Sequence, residues 1–418
     1  MSDTLNLSDI LRELHVEAAL PALGDHWDES EACFPAAGPR FLDPAAIRQW
    51  RKRGGLPAEA DAELVEAARL IAARPALLHL AWHCHRLLFD RLDFDRRQID
   101  RWPILDAALG DLSGAFYLLV ALDAIPRIDA VHERLGVTGQ VHADTCHHYR
   151  EPVRMYGELH GGHVGVSPNA LYWWRNHTRG DLYRLGRLEY MVKPFRGPLR
   201  AYRHRASGAV LALADSGALF DGQGLAGADG DPDAWRAWFS ASAHQVTGHP
   251  IAPTGYGQRG PVTLSLADWE PALAPGDGIL EVHIPAGGGM TLERCRDSMS
   301  QALDFFPRHF PDRPFRAFAC GSWILNPELD RVYRPDSNMV KWQRELYLYP
   351  LPSGPRCGMH FVFGREDIDL ATAPRDTSMR RALLDHLSSG GRLRAGGMFL
   401  LLEDFERFGS QVYREHCP

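Results

Sequence analysis

The chain has 418 residues, with 46 Lys and Arg against 53 Asp and Glu, so its formal net charge is −7. Hydrophobic residues make up 45% and charged residues 24% of the sequence, which excludes a wholly disordered, collagen-like or coiled-coil protein. A mildly acidic protein has no general attraction to nucleic acid or to an anionic membrane, so we expect neither as a partner. The length predicts two or three domains, because a single core rarely grows beyond about 250 to 300 residues.

The sequence predicts neither a secretory signal nor a membrane-spanning helix. Its start, M-S-D-T-L-N-L-S-D-I, lacks a basic segment followed by an apolar one. No apolar run reaches the roughly 18 to 20 residues that a spanning helix needs. The seven Cys residues are widely spaced and include no C-x-x-C pair, which is typical of reduced thiols. We therefore expect a cytoplasmic protein.

The N-terminal part of the chain is predicted to be helical. A first helix is predicted for residues 7–20, followed by a loop over residues 24–39 that is rich in Pro and Gly near its end. Asp43 and Pro44 are typical of a helix start, because an Asp cap is followed by Pro at the first helical position. The spacing of apolar residues predicts further helices at 59–73, 75–88, 105–122 and 141–159.

After residue 169 the pattern changes to short segments of alternating apolar and polar residues, which are typical of strands. Strands are predicted at 185–192, 199–204, 209–214, 279–285, 315–325, 346–350 and 359–364. Helices are predicted at 235–247, 291–306, 327–345 and 377–387. The predicted fold class is therefore α+β, with a helical N-terminal domain followed by a mixed α/β domain.

One strand–loop–helix unit gives the strongest local signal. The strand of residues 279–285 is followed by Gly287, Gly288 and Gly289. Thr291 comes next and can cap the following helix. Glycines let backbone N–H groups approach a ligand, and a helix N-terminus adds a partial positive charge, so the unit suits a phosphate or pyrophosphate. The unit lacks the Lys of a P-loop and the glycine spacing of a dinucleotide-binding motif. The alternative interpretation is a tight turn that binds no ligand.

Two ionisable residues lie on the strand before this loop. Glu281 and His283 are two positions apart, so their side chains face the same side of the strand. Because His titrates near neutrality, such a pair beside a nucleotide loop can deprotonate an amine. The alternative is a hydrogen-bonded structural pair on a half-exposed strand.

A second group of candidates lies on and after the strand of residues 315–325. Cys320 can act as a nucleophile if its thiol ionises, although a Cys among apolar residues is commonly part of the core. Tyr333 can protonate a departing thiolate, or it is a surface aromatic. Ser337 and Asn338 belong to a polar turn that opens a helix and are candidates for binding a cofactor. Arg187, further upstream, can form an aromatic and basic pocket with Trp173, Trp174, Arg175 and Arg184, but we favour interdomain packing with a solvated Arg187.

Metal binding is a further hypothesis, because several pairs in the helical part have a spacing of four and share a helix face. These pairs are His79 with His83, His142 with Cys146, and His147 with Glu151. His, Cys and carboxylate side chains can bind zinc or iron. Neither stretch contains a complete set such as H-E-x-x-H, so we expect no metal.

Several segments together resemble the signature of one known family. They are H-I-P-A-G-G-G-M, C-R-D-S, F-F-P-R-H-F-P, A-C-G-S-W-I-L-N-P-E-L, S-N-M-V-K-W-Q, F-V-F-G and T-S-M-R-R-A-L-L-D-H-L-S-S-G-G, with R-G-D-L-Y-R-L-G-R-L-E-Y upstream. Over about residues 40 to 400 the chain resembles bacterial acyltransferase-domain proteins with an N-acyltransferase-type N-terminal domain and a GNAT-like C-terminal domain. The resemblance implies an N-terminal helix and loop at 1–40 and these two domains at 41–178 and 179–418.

The resemblance implies an enzyme that moves an acyl group from a thioester to an amine of a small molecule. The donor is expected to be a coenzyme A thioester or a phosphopantetheine-linked acyl group, and an acyl carrier protein is a candidate partner. GNAT-like folds bind the pyrophosphate between their fourth strand and third helix, which corresponds here to residues 279–292. Ile284 and Met290 therefore join the three glycines as cofactor-binding candidates.

The same resemblance implies roles for the ionisable residues. The general base is expected on the E-V-H-I-P strand, at Glu281 or His283, and the proton donor to the departing thiolate at Tyr333. Three other classes of function stay open. They are hydrolysis or covalent acyl transfer through Cys320, metal-dependent catalysis by the His-rich helices, and ligand binding without turnover.

Overall fold

The computed structural model describes residues 6–287, 289–354 and 357–415. The chain divides into two compact units, Met1–Arg184 and Leu185–Pro418, called here the helical unit and the sheet unit. The division falls close to residue 179, where the second domain is predicted to start. A helical region followed by a sheet-containing region confirms the predicted α+β class.

The helical unit consists of α-helices joined by short 3-10 segments, and a π-helical turn at Leu87–Arg91 extends one of them. The side chain of Asp43 accepts hydrogen bonds from the backbone N–H groups of Ala45 and Ala46, which confirms the predicted cap. The helices are α1 (Leu7–Glu13), α2 (Leu20–Leu23), α3 (Trp27–Ala32), α4 (Pro44–Arg53), α5 (Ala60–Ala73), α6 (Pro75–Arg86), α7 (Arg96–Ile99), α8 (Asp106–Leu109), α9 (Ser113–Leu122), α10 (Ala124–Leu135), α11 (Gly139–Cys146), α12 (Arg150–Leu159) and α13 (Trp174–Thr178).

Helix α9 lies at the centre of the core of the helical unit. All of its residues are buried, and it packs against α5 and α6. By length and composition, residues 106–135 are apolar enough to cross a membrane, which contradicts the expectation that no such run exists. However, 72% of the most apolar window is buried, which is typical of the core helix of a folded domain.

Two predictions for the start of the chain are wrong. The first helix ends at Glu13, because His15 adopts a left-handed φ of 58° that an α-helix cannot contain. The predicted loop at 24–39 contains α3, which places Trp27 against the ring of His83 with 5.0 Å between centroids. Burial of a large aromatic side chain outweighs the loop-like composition there.

The strands begin at the boundary between the units and continue through the sheet unit. They are β1 (Tyr183–Leu185), β2 (Leu188–Pro194), β3 (Leu199–His204), β4 (Val210–Ala214), β5 (Leu219–Phe220), β6 (Trp235–Arg236), β7 (Phe239–Ala241), β8 (Gln245–Gly248), β9 (Pro250–Ile251), β10 (Val262–Ser265), β11 (Trp269–Leu273), β12 (Gly278–His283), β13 (Ala317–Ser322), β14 (Tyr347–Leu351) and β15 (Ala395–Leu401). The helices of this unit are α14 (Leu292–His309), α15 (Leu329–Val332), α16 (Asn338–Arg344), α17 (Met359–Phe363) and α18 (Ser378–Ser388).

The main sheet has the strand order β1-β2-β12-β13-β15-β14. Strand β12 pairs antiparallel with β2 and parallel with β13, and β15 pairs antiparallel with both β13 and β14. The only parallel pair described in this sheet is thus β12 with β13, joined by a crossover through α14. This pair positions the candidate site.

Two elements of the sheet unit have the opposite type to the prediction. The predicted helix at 235–247 forms strands β6, β7 and β8. Strand β6 pairs with β5, and β8 pairs with β7 on one side and with β10 on the other. The predicted strand at 359–364 is helix α17. It lies between Gly358 and Gly364, which have φ of 81° and 77°, and a short apolar run does not by itself distinguish helix from strand.

Strand β15 has no counterpart among the predicted elements. It is buried on both faces, so its sequence A-G-G-M-F-L-L does not alternate. Its two glycines are required by close packing. A Cβ at Gly396 would lie 2.0 Å from the carbonyl oxygen of Leu325, and a Cβ at Gly397 would lie 2.1 Å from the ring of Tyr349.

Candidate active site

The main sheet opens between its two parallel strands. Pairing of β12 with β13 runs from Ile279 with Ala317 to Glu281 with Ala319. Beyond this point β12 continues in register with β2 and β13 continues in register with β15. No further pair between β12 and β13 occurs in the part of the chain that the structure describes. The backbone groups along this opening are therefore available to a ligand.

Glu281 and His283 come together at this opening. The distance between His283 Nε2 and Glu281 Oε2 is 3.3 Å, and the two side chains are 25% and 38% exposed. Burial raises the pKa of the Glu281 carboxyl, but the hydrogen bond with His283 and the charges of Lys193 and Arg196 outweigh it, so this pKa lies below its usual value. Glu281 is consequently ionised at neutral pH and can stabilise a positive charge on His283.

The glycine loop follows β12 directly after Ile284 and Pro285. Gly287 and Gly289 have φ of 82° and 64°, and a Cβ at either position would meet no atom within 4 Å. Backbone conformation, rather than lack of space, therefore requires these glycines. Gly288 lies outside the described residues. Met290 is buried, whereas Gly287 and Gly289 are exposed, so side chains do not cover the outer face of the loop at these glycines.

Helix α14 begins immediately after the loop. The Oγ1 atom of Thr291 accepts a hydrogen bond from the backbone N–H of Arg294, which is the capping contact that the sequence predicts. The positive end of the helix dipole therefore lies beside the loop. Glu293 in the first turn partly offsets this charge.

Arg187 anchors both ends of the loop. Its Nε donates a hydrogen bond of 2.7 Å to the carbonyl of Gly289, and its Nη1 donates one of 2.8 Å to the carbonyl of Pro285. The interpretation of Arg187 as a solvated residue is wrong, because the residue is only 8% exposed. Nothing in the local sequence indicates this contact, since the loop follows about 100 residues later.

A buried serine fixes the hairpin that carries Arg187 to helix α14. The Ser298 Oγ accepts a hydrogen bond from the backbone N–H of Leu188 at 3.0 Å and donates to the carbonyl of Leu185. The hydroxyl of Tyr190 lies 2.9 Å from the same oxygen. The turn at Arg187 is therefore held to the helix that starts at the loop.

Tyr333, Ser337 and Asn338 lie on or beside helices α15 and α16, whereas Glu281 and His283 lie on β12. The hydroxyl of Tyr333 is buried and makes no hydrogen bond within the described residues, and burial raises the pKa of Tyr333, so the hydroxyl keeps its proton. Ser337 caps α16, with its Oγ accepting from the N–H of Val340 at 3.3 Å. Asn338 follows as the first, exposed residue of that helix.

Cys320 is 7% exposed on β13. Burial raises the pKa of its thiol to about 12, and the charge of Glu281 acts in the same direction. At neutral pH the group is therefore a thiol and not the thiolate that nucleophilic attack requires. This environment does not favour a covalent route through Cys320.

Among the residues that the structure describes, one group that could ligate a metal occurs in the helical unit. Single ligand atoms of Asp129, His142 and Cys146 all lie within 4.8 Å of one another. Arg53 occupies this group: its Nη1 donates to Asp129 at 2.6 Å and its Nη2 donates to His142 Nε2 at 2.6 Å. A guanidinium therefore already binds two of the three groups that a metal ion would need.

A second of the three predicted pairs, His79 with His83, makes internal hydrogen bonds. His79 Nδ1 lies 2.8 Å from a carboxylate oxygen of Glu31. His83 contacts the hydroxyl of Ser30 and the carbonyl of Leu23 through its two ring nitrogens. Burial lowers the pKa of His83 to about 4, so this ring is a neutral core residue at neutral pH.

Solved structures with the same fold are acyltransferases. One is an acyltransferase in complex with decanoyl-CoA and teicoplanin, another is an acyltransferase mutant with octanoyl-CoA, and a third is an acyltransferase with CoA and 10C-teicoplanin. Each has a TM-score of 0.64 and 22% identity, and each match covers 95% of this chain and 100% of the other. No curated protein matches the sequence significantly.

Two family models match the chain in the predicted order. Residues 46–180 match the N-acyltransferase N-terminal domain, and residues 182–400 match the GNAT-like C-terminal domain. The second match alone spans more than half of the 418 residues. This protein therefore belongs to the family of GNAT-like acyltransferases, with an N-acyltransferase N-terminal domain in front of the GNAT-like C-terminal domain.

Proposed function

We propose that this protein transfers an acyl group from acyl-CoA directly to an amine of a small molecule. The observation that carries the proposal is the Glu281–His283 pair, because it lies at the opening between β12 and β13 and next to the glycine loop. The loop can bind a pyrophosphate, the opening can accept the thioester arm, and the pair can remove a proton from the attacking amine.

The donor is proposed to be coenzyme A rather than an acyl carrier protein. The similar solved acyltransferases hold CoA, octanoyl-CoA or decanoyl-CoA, which supports a fatty acyl thioester of this kind. One of them holds teicoplanin together with decanoyl-CoA, which supports a small-molecule acceptor for this chain.

The proposed reaction forms a C–N bond and breaks the C–S bond of the thioester. A backbone N–H at the end of β12, near Ile284, donates to the thioester oxygen as it becomes negative. His283 takes the proton of the amine, and ionised Glu281 stabilises the resulting imidazolium. The departing thiolate receives a proton from Tyr333 or from water. Holding both substrates in line supplies much of the acceleration.

The test is the variant His283→Ala, assayed by release of free CoA thiol from decanoyl-CoA in the presence of a panel of small primary amines. Loss of a general base is expected to lower kcat by roughly 10²- to 10⁴-fold. His244→Ala is the matched control, because His244 is an exposed histidine of the same unit. Unchanged turnover in His283→Ala would refute the assignment, and thioester hydrolysis without amine acylation would refute the transfer.

A further inference from the structure

We infer that Arg187 is a positioning residue for the acyl donor, acting through the glycine loop. By holding the carbonyls of Pro285 and Gly289, it turns the backbone N–H groups of Ala286 and Met290 toward the side where the pyrophosphate binds. The inference rests on the proposed function and deepens it, because it names the groups that recognise the donor.

The two hydrogen bonds of Arg187 fix the orientation of two peptide planes. In a trans peptide the carbonyl of one residue and the N–H of the next point in opposite directions. Since the carbonyl of Pro285 points at the guanidinium, the N–H of Ala286 points away from it. The same argument applies to the carbonyl of Gly289 and the N–H of Met290. Both N–H groups therefore face away from Arg187.

These two N–H groups have no acceptor within the described residues. A backbone donor that is left without a protein partner needs water or a ligand. Ala286, Gly287 and Gly289 are all exposed. The two glycines carry no side chain that could cover the N–H groups of Ala286 and Met290. Two N–H groups that point away from Arg187, beside a helix N-terminus, match the oxygens of a pyrophosphate.

Arg187 itself is too enclosed to be the group that binds the phosphate. It is 8% exposed, and its Nε and Nη1 are both used by the loop carbonyls. Its positive charge lies behind the loop, so it also contributes a favourable potential at the phosphate. Arg187 therefore positions the binding groups and attracts the donor without taking part in proton transfer.

The connection to Ser298 makes this arrangement rigid. The N–H of Leu188 is bound to Ser298 on α14, and α14 starts at the loop that Arg187 holds. Two hydrogen bonds of Arg187 thus join the hairpin to the loop, and the hydrogen bond of Leu188 joins the hairpin to α14. A rigid support of this kind lowers the entropy that is lost when the loop binds the donor.

The test compares two donors, decanoyl-CoA and S-decanoyl-pantetheine, which lacks both phosphates of the pyrophosphate. In Arg187→Gln the loop peptides are no longer held, so we expect KM for decanoyl-CoA to rise about tenfold, the effect of losing one strong charge-assisted contact. We expect kcat with decanoyl-CoA and KM for S-decanoyl-pantetheine to stay nearly unchanged. Arg187→Lys keeps the charge but not the fork, and should lie between wild type and Arg187→Gln.

Arg334→Gln is the matched control, because the side chain of Arg334 is 84% exposed and pairs with Asp336 two residues away. An equal loss with both donors in Arg187→Gln would show that Arg187 only maintains the fold and would overturn the inference. No change in KM for decanoyl-CoA would also overturn it.

A second measurement needs no change at Arg187 and applies even if its variants do not fold. The chain has nine Met residues, so ¹⁵N-Met labelling gives few amide signals, and Met290→Leu identifies that of Met290. We expect this signal to shift with CoA and to stay in place with pantetheine. If CoA binds and the signal does not move, the inference fails while the proposed function stands. If CoA does not bind to the wild-type protein, both fail.

Discussion

One pair of a histidine and a carboxylate in the sheet unit and one of the several such pairs in the helical unit have almost the same geometry. In the sheet unit His283 lies 3.3 Å from Glu281, with side chains 25% and 38% exposed. In the helical unit His142 lies 3.3 Å from Asp129, with side chains 22% and 33% exposed. Neither distance nor burial therefore distinguishes the pair that we propose to be catalytic from the pair in the helical unit.

The difference lies in a third residue. Arg53 donates to both members of the helical pair, at 2.5 Å and 2.6 Å to the carboxylate of Asp129 and at 2.6 Å to His142. A histidine nitrogen that already accepts from a guanidinium is not free to accept a proton from a substrate. At Glu281, by contrast, Lys193 and Arg196 act through their charge. We conclude that an arginine turns one of two similar pairs into a structural element.

After His283→Ala, the largest effect is expected from Glu281→Gln, which removes the negative charge from the pair at the sheet opening. We expect kcat to fall about ten- to a hundredfold, because the imidazolium formed at His283 loses its stabilising partner. The measurement is steady-state release of CoA thiol. Glu270→Gln is the control, since Glu270 pairs with Arg205 in another sheet. If Glu281→Gln and wild type had equal activity, Glu281 would have no catalytic role, and both His–carboxylate pairs would be structural.

The pH dependence of this variant gives a sharper form of the same test. The pKa of Glu281 is lowered in the folded protein, so its carboxylate is present throughout the neutral range. The advantage of wild type over Glu281→Gln is therefore expected to be constant near neutrality and to shrink as the pH falls through that pKa. A ratio of kcat values that grows toward low pH would contradict this account.

The next effect concerns the helical pair. Arg53→Ala leaves Asp129 and His142 without the cation that binds both, and we expect the free energy of unfolding to fall by about 1 to 2 kcal/mol. The pair is about one-third exposed, which keeps the loss below that of a fully buried ion pair. Chemical denaturation of the full chain measures it. Arg12→Ala, which breaks an exposed pair with Asp9, should cost much less.

A smaller effect is expected at His132, whose Nδ1 lies 2.7 Å from that of His142. Burial, followed by the nearby His142, lowers the pKa of His132 to about 4. The unfolded chain therefore binds more protons between about pH 6.5 and 4, so stability falls as the pH drops through this interval. We expect His132→Asn to weaken this pH dependence, measured by denaturation at several pH values. A slope as steep as that of wild type would contradict the prediction, and His244→Asn controls for an exposed histidine.

Local sequence was sufficient where the controlling contact is local. The cap at Thr291 and the strand Leu199–His204 were predictable, because a cap and a hairpin turn involve neighbours within a few residues. The strands in residues 235–247 were not predictable from local sequence, because pairing with strands elsewhere in the chain decides their structure. The same reason explains the site: Glu281 and His283 share a strand, whereas the contact of Arg187 with the loop spans about 100 residues.

The smallest effect is expected from substitution of two buried cysteines, Cys320 near Glu281 and Cys146 near His142. Burial raises the pKa of Cys146 and of Cys320 to about 12, so neither thiol ionises appreciably at neutral pH. Cys320→Ala is therefore expected to keep kcat within about twofold, as is Cys146→Ala, whereas exposed Cys33 should react with iodoacetamide far faster than either. An acyl-enzyme seen by mass spectrometry in wild type and lost in Cys320→Ala would contradict this. It would also mean that the thiol ionises only when the donor fills the opening, so that the base at His283 would serve a covalent step.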